Sequence, residues 1–102
     1  MATLSYSRKA LQDLETLTAF LADSDPALAL ETGKLIREAV LILARHPLIG
    51  RPVEQGLREL IISRGRTGYL ALYRYREAED AALILAIRHQ REAGYWPSRT
   101  KT

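Results

Sequence analysis

The chain has 102 residues, 47% of them apolar, with no cysteine, two histidines and a formal net charge of +3. That length and apolar share suit one domain, residues 1–102, with one core and no internal repeat, while the missing cysteines exclude disulfides and thiolate-bound zinc. Charge is uneven: residues 1–50 carry five Lys/Arg against six Asp/Glu, and residues 51–102 carry ten against six, so the basic character belongs to the second half.

The opening MATLSYSRKA lacks the apolar stretch of an export signal, and no window of about 18 uncharged apolar residues follows, so the expected compartment is the cytoplasm. Thr3–Tyr6 alternates polar and apolar residues, as a short strand does. Ser7 is a suitable N-cap for a helix over Arg8–Ala22, whose Ala10, Leu11, Leu14, Leu17 and Leu21 recur at helical spacing. Asp23–Pro26 breaks the chain, and Asp25 caps a second helix with Pro26 at its first position. This helix is expected to stop before Pro47, and so short a connection implies an antiparallel helical hairpin. Its last turns, Ala39–Ala44, are apolar all round; either the other layers enclose them or part of them awaits a partner.

His46–Gly56 reads as a loop, punctuated by two prolines and two glycines. Strands are expected over Leu57–Arg64 and Tyr69–Arg76, joined by a hairpin loop at Gly65–Gly68. The first places Arg58, Leu60, Ile62 and Arg64 on one face; the second places Tyr69, Ala71, Tyr73 and Tyr75 opposite Leu70, Leu72, Arg74 and Arg76. After a turn at Glu77–Asp80, Ala81–His89 forms a last strand that is apolar on both faces. The resulting fold class is α+β, in the order β-α-α-β-β-β: an N-terminal short strand, then a helical hairpin packed on a small antiparallel sheet. Residues 96–102 read as a loose end.

Twelve of the fifteen cations are arginine, whose planar fork grips carboxylates and phosphates in pairs of hydrogen bonds. An acidic partner, protein or nucleic acid, fits this composition; so does an arginine-rich surface that merely faces solvent. His46 and His89 lie far apart in sequence and make a poor ligand set, so neither metal nor cofactor is expected.

In this order and spacing, LSYSRKALQDLETL, RHPLIGRP after the second helix, LREL, GYLALYRY and the ending LAIRHQR resemble the RelE/ParE superfamily of type II toxin–antitoxin toxins over nearly the whole chain. The superfamily holds two activities. Members similar to RelE act as ribosome-dependent mRNA nucleases. Cutting RNA through its own 2'-hydroxyl needs a base, a cation for the phosphorus oxygens and an acid for the leaving oxygen. Such toxins resemble one another in an arginine directly after the GY of the middle strand and lysines on the strand before it. Here the slot holds Leu70, and the strand before it offers Arg58 and Arg64. For the nuclease alternative the resemblance leaves His89 as base or acid, Arg91 as the cation and Tyr95 near the scissile phosphate. His89 has the parity of Leu83, Leu85 and Ile87 and would equally cap the core end of its strand, and Tyr95 with Trp96 would equally form an aromatic lid.

The ParE-like branch resembles the chain more closely, through Tyr73-Arg74 and His89-Gln90-Arg91. That branch implies a non-enzymatic inhibitor of DNA gyrase with a role in plasmid stabilisation; the alternatives are an mRNA endoribonuclease acting at the ribosome and a degenerate, non-toxic binding module. The resemblance also implies a ParD-like antitoxin partner in a hetero-oligomer. Its expected contacts are Val40, Leu43, Arg58, Arg64, Arg74, Arg76 and Leu85, and the expected target contacts are His89, Arg91, Tyr95 and Trp96.

Overall fold

Helix boundaries follow from local capping. In a computed structural model, which describes residues 1–62 and 68–90, Ser7 stands in extended conformation and its Oγ accepts the Ala10 N–H at 3.0 Å. Helix α1, Arg8–Ala22, starts there, as its sequence predicts. Asp25 accepts the Leu28 N–H at 3.1 Å and Pro26 opens α2, Pro26–Leu41. α2 ends earlier than the periodicity implies, because the chain tightens into a 3-10 turn at Ile42–Ala44 before Pro47.

The sheet has five strands in the order β1-β5-β4-β3-β2: β1 Thr3–Tyr6, β2 Arg51–Pro52, β3 Arg58–Ile61, β4 Tyr69–Arg76 and β5 Ala81–His89. β2 through β5 pair antiparallel, as a meander must when its connections are short. β1 runs parallel to β5, Thr3 opposite Ala81 and Tyr6 opposite Ile84, which makes the sheet mixed. β2 lies within the stretch that reads as loop; two residues, one of them proline, are too short for any periodicity. β3 is the inner part of the expected Leu57–Arg64 strand, and Arg64 with most of the Gly65–Gly68 hairpin loop lies outside the described residues.

The helices cover one face of the sheet. Alternation assigns Leu60, Tyr69, Ala71, Tyr73, Ala82 and Ile84 to that face, where they join Ala10, Ile36, Val40 and Leu43 in the core. Tyr73, Ile36, Leu43 and Ile84 are fully buried. The remaining side of the sheet, the outer face, carries Glu59 and Ile61 from β3 and Leu70, Leu72, Arg74 and Arg76 from β4.

Candidate functional site

Most of the chemistry-bearing residues reach their places through β4 and β5. Along β4 the register sets Tyr69 opposite His89, Leu70 opposite Arg88, Ala71 opposite Ile87 and Leu72 opposite Ala86; the next pair is Tyr73 with Ile84. Leu85 is therefore an extra residue on β5, a β-bulge. Beyond it the alternation is reset. Ile87 and His89 turn toward the helices, while Ala86 and Arg88 join Leu70 and Leu72 on the outer face.

His89 consequently meets Tyr69 edge to face, with ring centroids 5.3 Å apart and an interplanar angle of 86°. It keeps the parity of Ile87 but loses that of Leu83, because the bulge intervenes. Arg88, which the motif comparison passes over, is the side chain beside Leu70. Its Nη1 donates to the carbonyls of His89 at 3.3 Å and Gln90 at 3.4 Å. The guanidinium of Arg88 and the imidazole of His89 thus lie on opposite sides of the sheet and do not converge. The signal for Arg88 is its place directly after the last buried apolar pair, Ala86 and Ile87, legible only once the bulge is known.

Arg74 and Arg76 project from β4 on the outer face and are exposed. Among the described residues neither makes a hydrogen bond or an ion pair. Nearby, Glu59 is buried at 5% exposure and is neutralised by Arg51, whose Nε and Nη2 both donate to Glu59 Oε1, at 2.8 and 2.5 Å. A carboxylate taken out of water needs such a charged partner. The pair is across the β2–β3 register, Arg51 opposite Glu59, and the shortness of β2 hides it in the sequence.

Arg58 does not belong to this cationic face. It lies opposite Tyr73 on the helix side, where its Nη1 donates to the carbonyls of Leu48, at 3.1 Å, and Gly50, at 2.7 Å. One of its nitrogens is thereby committed to carbonyls of the loop that follows α2. Tyr73 completes the arrangement. Its hydroxyl donates to Pro47 O at 2.7 Å and accepts the Gly50 N–H at 2.9 Å. Burial pushes the Tyr73 phenol above its ordinary value, against the opposing influence of the Gly50 hydrogen bond and the Arg58 charge. Two side chains thereby fix the His46–Gly50 loop, which leaves Leu48 and Ile49 exposed beside a shallow cleft that includes Tyr75 and Glu77.

Val40 and Leu43, expected at an antitoxin interface, are core residues, at 1% and 0% exposure. Being three apart, they share a side of the helix end, and that side faces the sheet. The surplus apolar character falls on their neighbours Leu41 and Ile42, which are 62% and 45% exposed. Within Ala39–Ala44 the other layers therefore enclose Val40, Leu43 and Ala44, while Leu41 and Ile42 stay exposed. Leu85 is half-buried, and its carbonyl accepts a hydrogen bond from Ser7 Oγ at 2.9 Å. Arg91, Tyr95 and Trp96 lie outside the described residues, as does the tail of residues 96–102. Among the described residues, no group of three or more His, Cys, Asp or Glu side chains is placed to hold a metal ion.

Comparison with known proteins bears on this arrangement. The sequence model of the family described as ParE toxin of type II toxin–antitoxin system, parDE, matches residues 4–94. The protein called Toxin RelE3 of Caulobacter vibrioides is 35% identical over 92 residues, which is 90% of this chain and 98% of that protein. Toxin RelE1 of the same organism is 33% identical over 72 residues, 71% of this chain and 77% of that protein. Among solved structures, a chain of the chromosomal ParDE TA system from P. aeruginosa superposes with a TM-score of 0.70 at 28% identity, covering 87% of this chain and 96% of that one. A chain of the toxin–antitoxin complex RelBE2 from Mycobacterium tuberculosis gives 0.57 at 25% identity, covering 87% and 98%.

Proposed function

Because this chain belongs to the ParE toxin family of type II toxin–antitoxin systems, we propose that it stops growth by binding DNA gyrase, without catalysis, and that a ParD-like antitoxin neutralises it. The observation that carries this reading is the divergence at the end of β5. Transesterification of RNA needs a proton acceptor and a cation on the same phosphate. Leu70 occupies the slot where an arginine would stand, Arg88 beside it faces outward, and the His89 ring is turned the other way against Tyr69. The remaining described carboxylate of the outer sheet face, Glu59, is bound to Arg51.

An antitoxin fits the cationic and apolar residues that the fold leaves outside. Arg74 and Arg76 offer two donors forks for acidic side chains, and Leu41 and Ile42 offer apolar contact. The solved relatives are toxin–antitoxin complexes from P. aeruginosa and M. tuberculosis, which supports an antitoxin as partner. The proposed site of action is the cytoplasm, and among the described residues no helix is long and apolar enough to cross a membrane.

A second reading, a RelE-like mRNA endonuclease, draws support from the names of the relatives Toxin RelE3 and Toxin RelE1. One pair of assays separates the two. Purified toxin is expected to inhibit supercoiling by gyrase and to leave translating mRNA uncut. Cleavage of ribosome-bound mRNA that disappears in His89→Ala or Tyr95→Ala would replace the gyrase reading with the nuclease one.

A further inference from the structure

β1 ends at Tyr6, opposite Ile84, so the remaining length of β5 has no strand on that side. Two side chains from the start of α1 take its place. Ser7 N–H donates to Ile84 O at 2.8 Å, Ser7 Oγ donates to Leu85 O at 2.9 Å, and the Ile87 N–H donates to Asp13 Oδ2 at 2.9 Å. These are the backbone groups on either side of the bulge. Asp13 is itself held by Lys9, whose Nζ lies 2.9 Å from both of its oxygens. The carboxylate is half-buried, and a charged acceptor makes a stronger bond to a backbone N–H than a neutral one does.

A bulge adds one residue and exchanges the faces of everything after it. Without the insertion at Leu85, a continuous register would carry Arg88 to the helix side, among the core side chains, and would carry His89 to the outer face. The two groups that Ser7 and Asp13 bind, Leu85 O and Ile87 N, are spaced for the bulged strand.

We propose that Asp13, together with Ser7, is a positioning residue that locks the bulge at Leu85 and so decides that Arg88 stands on the outer face beside Leu70 and that His89 faces Tyr69. Helix α1 thereby controls the end of β5 from the opposite layer, through a carboxylate held between the Ile87 N–H and Lys9. The functional consequence, though not the geometry, rests on the proposed function, in which the end of β5 takes part in binding.

The test uses the full chain labelled for NMR. In the wild-type protein a through-hydrogen-bond coupling between Ile87 N and the Asp13 carboxyl carbon is expected, along with a Tyr69–His89 ring NOE. Asp13→Ala is expected to lose the NOE and to speed exchange of the Ile87 amide by at least ~10-fold, the equivalent of one ordinary hydrogen bond, while β3 and β4 amides keep their protection. Asp13→Asn, which retains an acceptor oxygen, is expected to restore the NOE. Retention of the NOE in Asp13→Ala overturns the proposal; if that variant does not fold, absence of the wild-type coupling overturns it instead. Gyrase inhibition measured on the same samples separates the two readings: correct NMR behaviour with no inhibition by the wild type would sink the proposed target and leave the positioning role standing.

Discussion

Reversing two charges on β4, Arg74→Glu with Arg76→Glu, is expected to weaken antitoxin binding far more than folding. Both side chains are exposed on the outer face, and among the described residues neither has a hydrogen-bond or ion-pair partner. Their loss therefore removes no folded-state contact, and exposed substitutions of this kind change stability by about 0.5 kcal/mol or less each. At an interface with acidic residues the arithmetic differs. A rim ion pair contributes about 1 kcal/mol or less, and reversal replaces each attraction with a repulsion of similar size. Two sites together give roughly 3 kcal/mol, on the order of 100-fold in Kd. Calorimetric titration with the cognate antitoxin, repeated at low and high salt, measures this directly, because exposed charges are screened and the wild-type advantage should shrink as salt rises. Urea unfolding of the free toxin supplies the folding term. Equal losses in binding and in folding, or a difference between wild type and variant that ignores salt, would refute the assignment of these arginines to the interface.

Gly50→Ala tests the loop clamp: an added Cβ would stand 2.6 Å from Cε1 and from the hydroxyl of Tyr73, and 3.0 Å from Glu59 O. Since Tyr73 is fully buried and cannot yield, overpacking and the loss of its hydroxyl bonds should cost about 3 kcal/mol in chemical denaturation, and a cost below about 0.5 kcal/mol would show that the loop moves freely. The same tyrosine sets an alkaline limit. Its folded value is raised by burial, so the folded chain holds a proton that the unfolded chain gives up near pH 10; stability is complete below that pH and declines as pH rises through the raised value. Tyr73→Phe should be less stable at neutral pH, for want of two hydrogen bonds, yet lose less between pH 10 and more alkaline conditions; Tyr6, raised chiefly by burial, keeps part of the slope. An unchanged alkaline slope in denaturation curves would contradict the origin given for it.

Where the sequence was legible, the reason is local. α1 begins and ends where Ser7 and the apolar spacing place it, α2 begins at Asp25-Pro26, and β4 and β5 keep their expected limits. Caps, prolines and strict alternation act within four residues, so one chain suffices to see them. What was not legible depends on contacts between distant segments. Arg58 and Arg74 look alike as strand arginines, but β3 turns Arg58 toward carbonyls of the loop after α2, and only Arg74 stays outside. Val40 and Leu41 are equally apolar, and the phase of α2, with Ile36 one turn earlier against the sheet, puts only Val40 in the core.

The largest error of parity lies at the end of β5, where Arg88 and His89 stand. Counting alternate residues from Leu83 through Leu85 and Ile87 to His89 assumes an unbroken strand, and the insertion at Leu85 breaks it. No property of the segment AALILAIRH announces this, because residues on both its faces are apolar up to Ile87 and either register would bury them comparably. The information resides elsewhere, in a serine and an aspartate at the start of α1 whose spacing fits the two carbonyl and amide groups beside the bulge. In the toxin this makes the face presented by Arg88 a property of the contact between α1 and β5. A change at either end of that contact should redistribute Arg88 and His89 between the two sides of the sheet before it unfolds the chain.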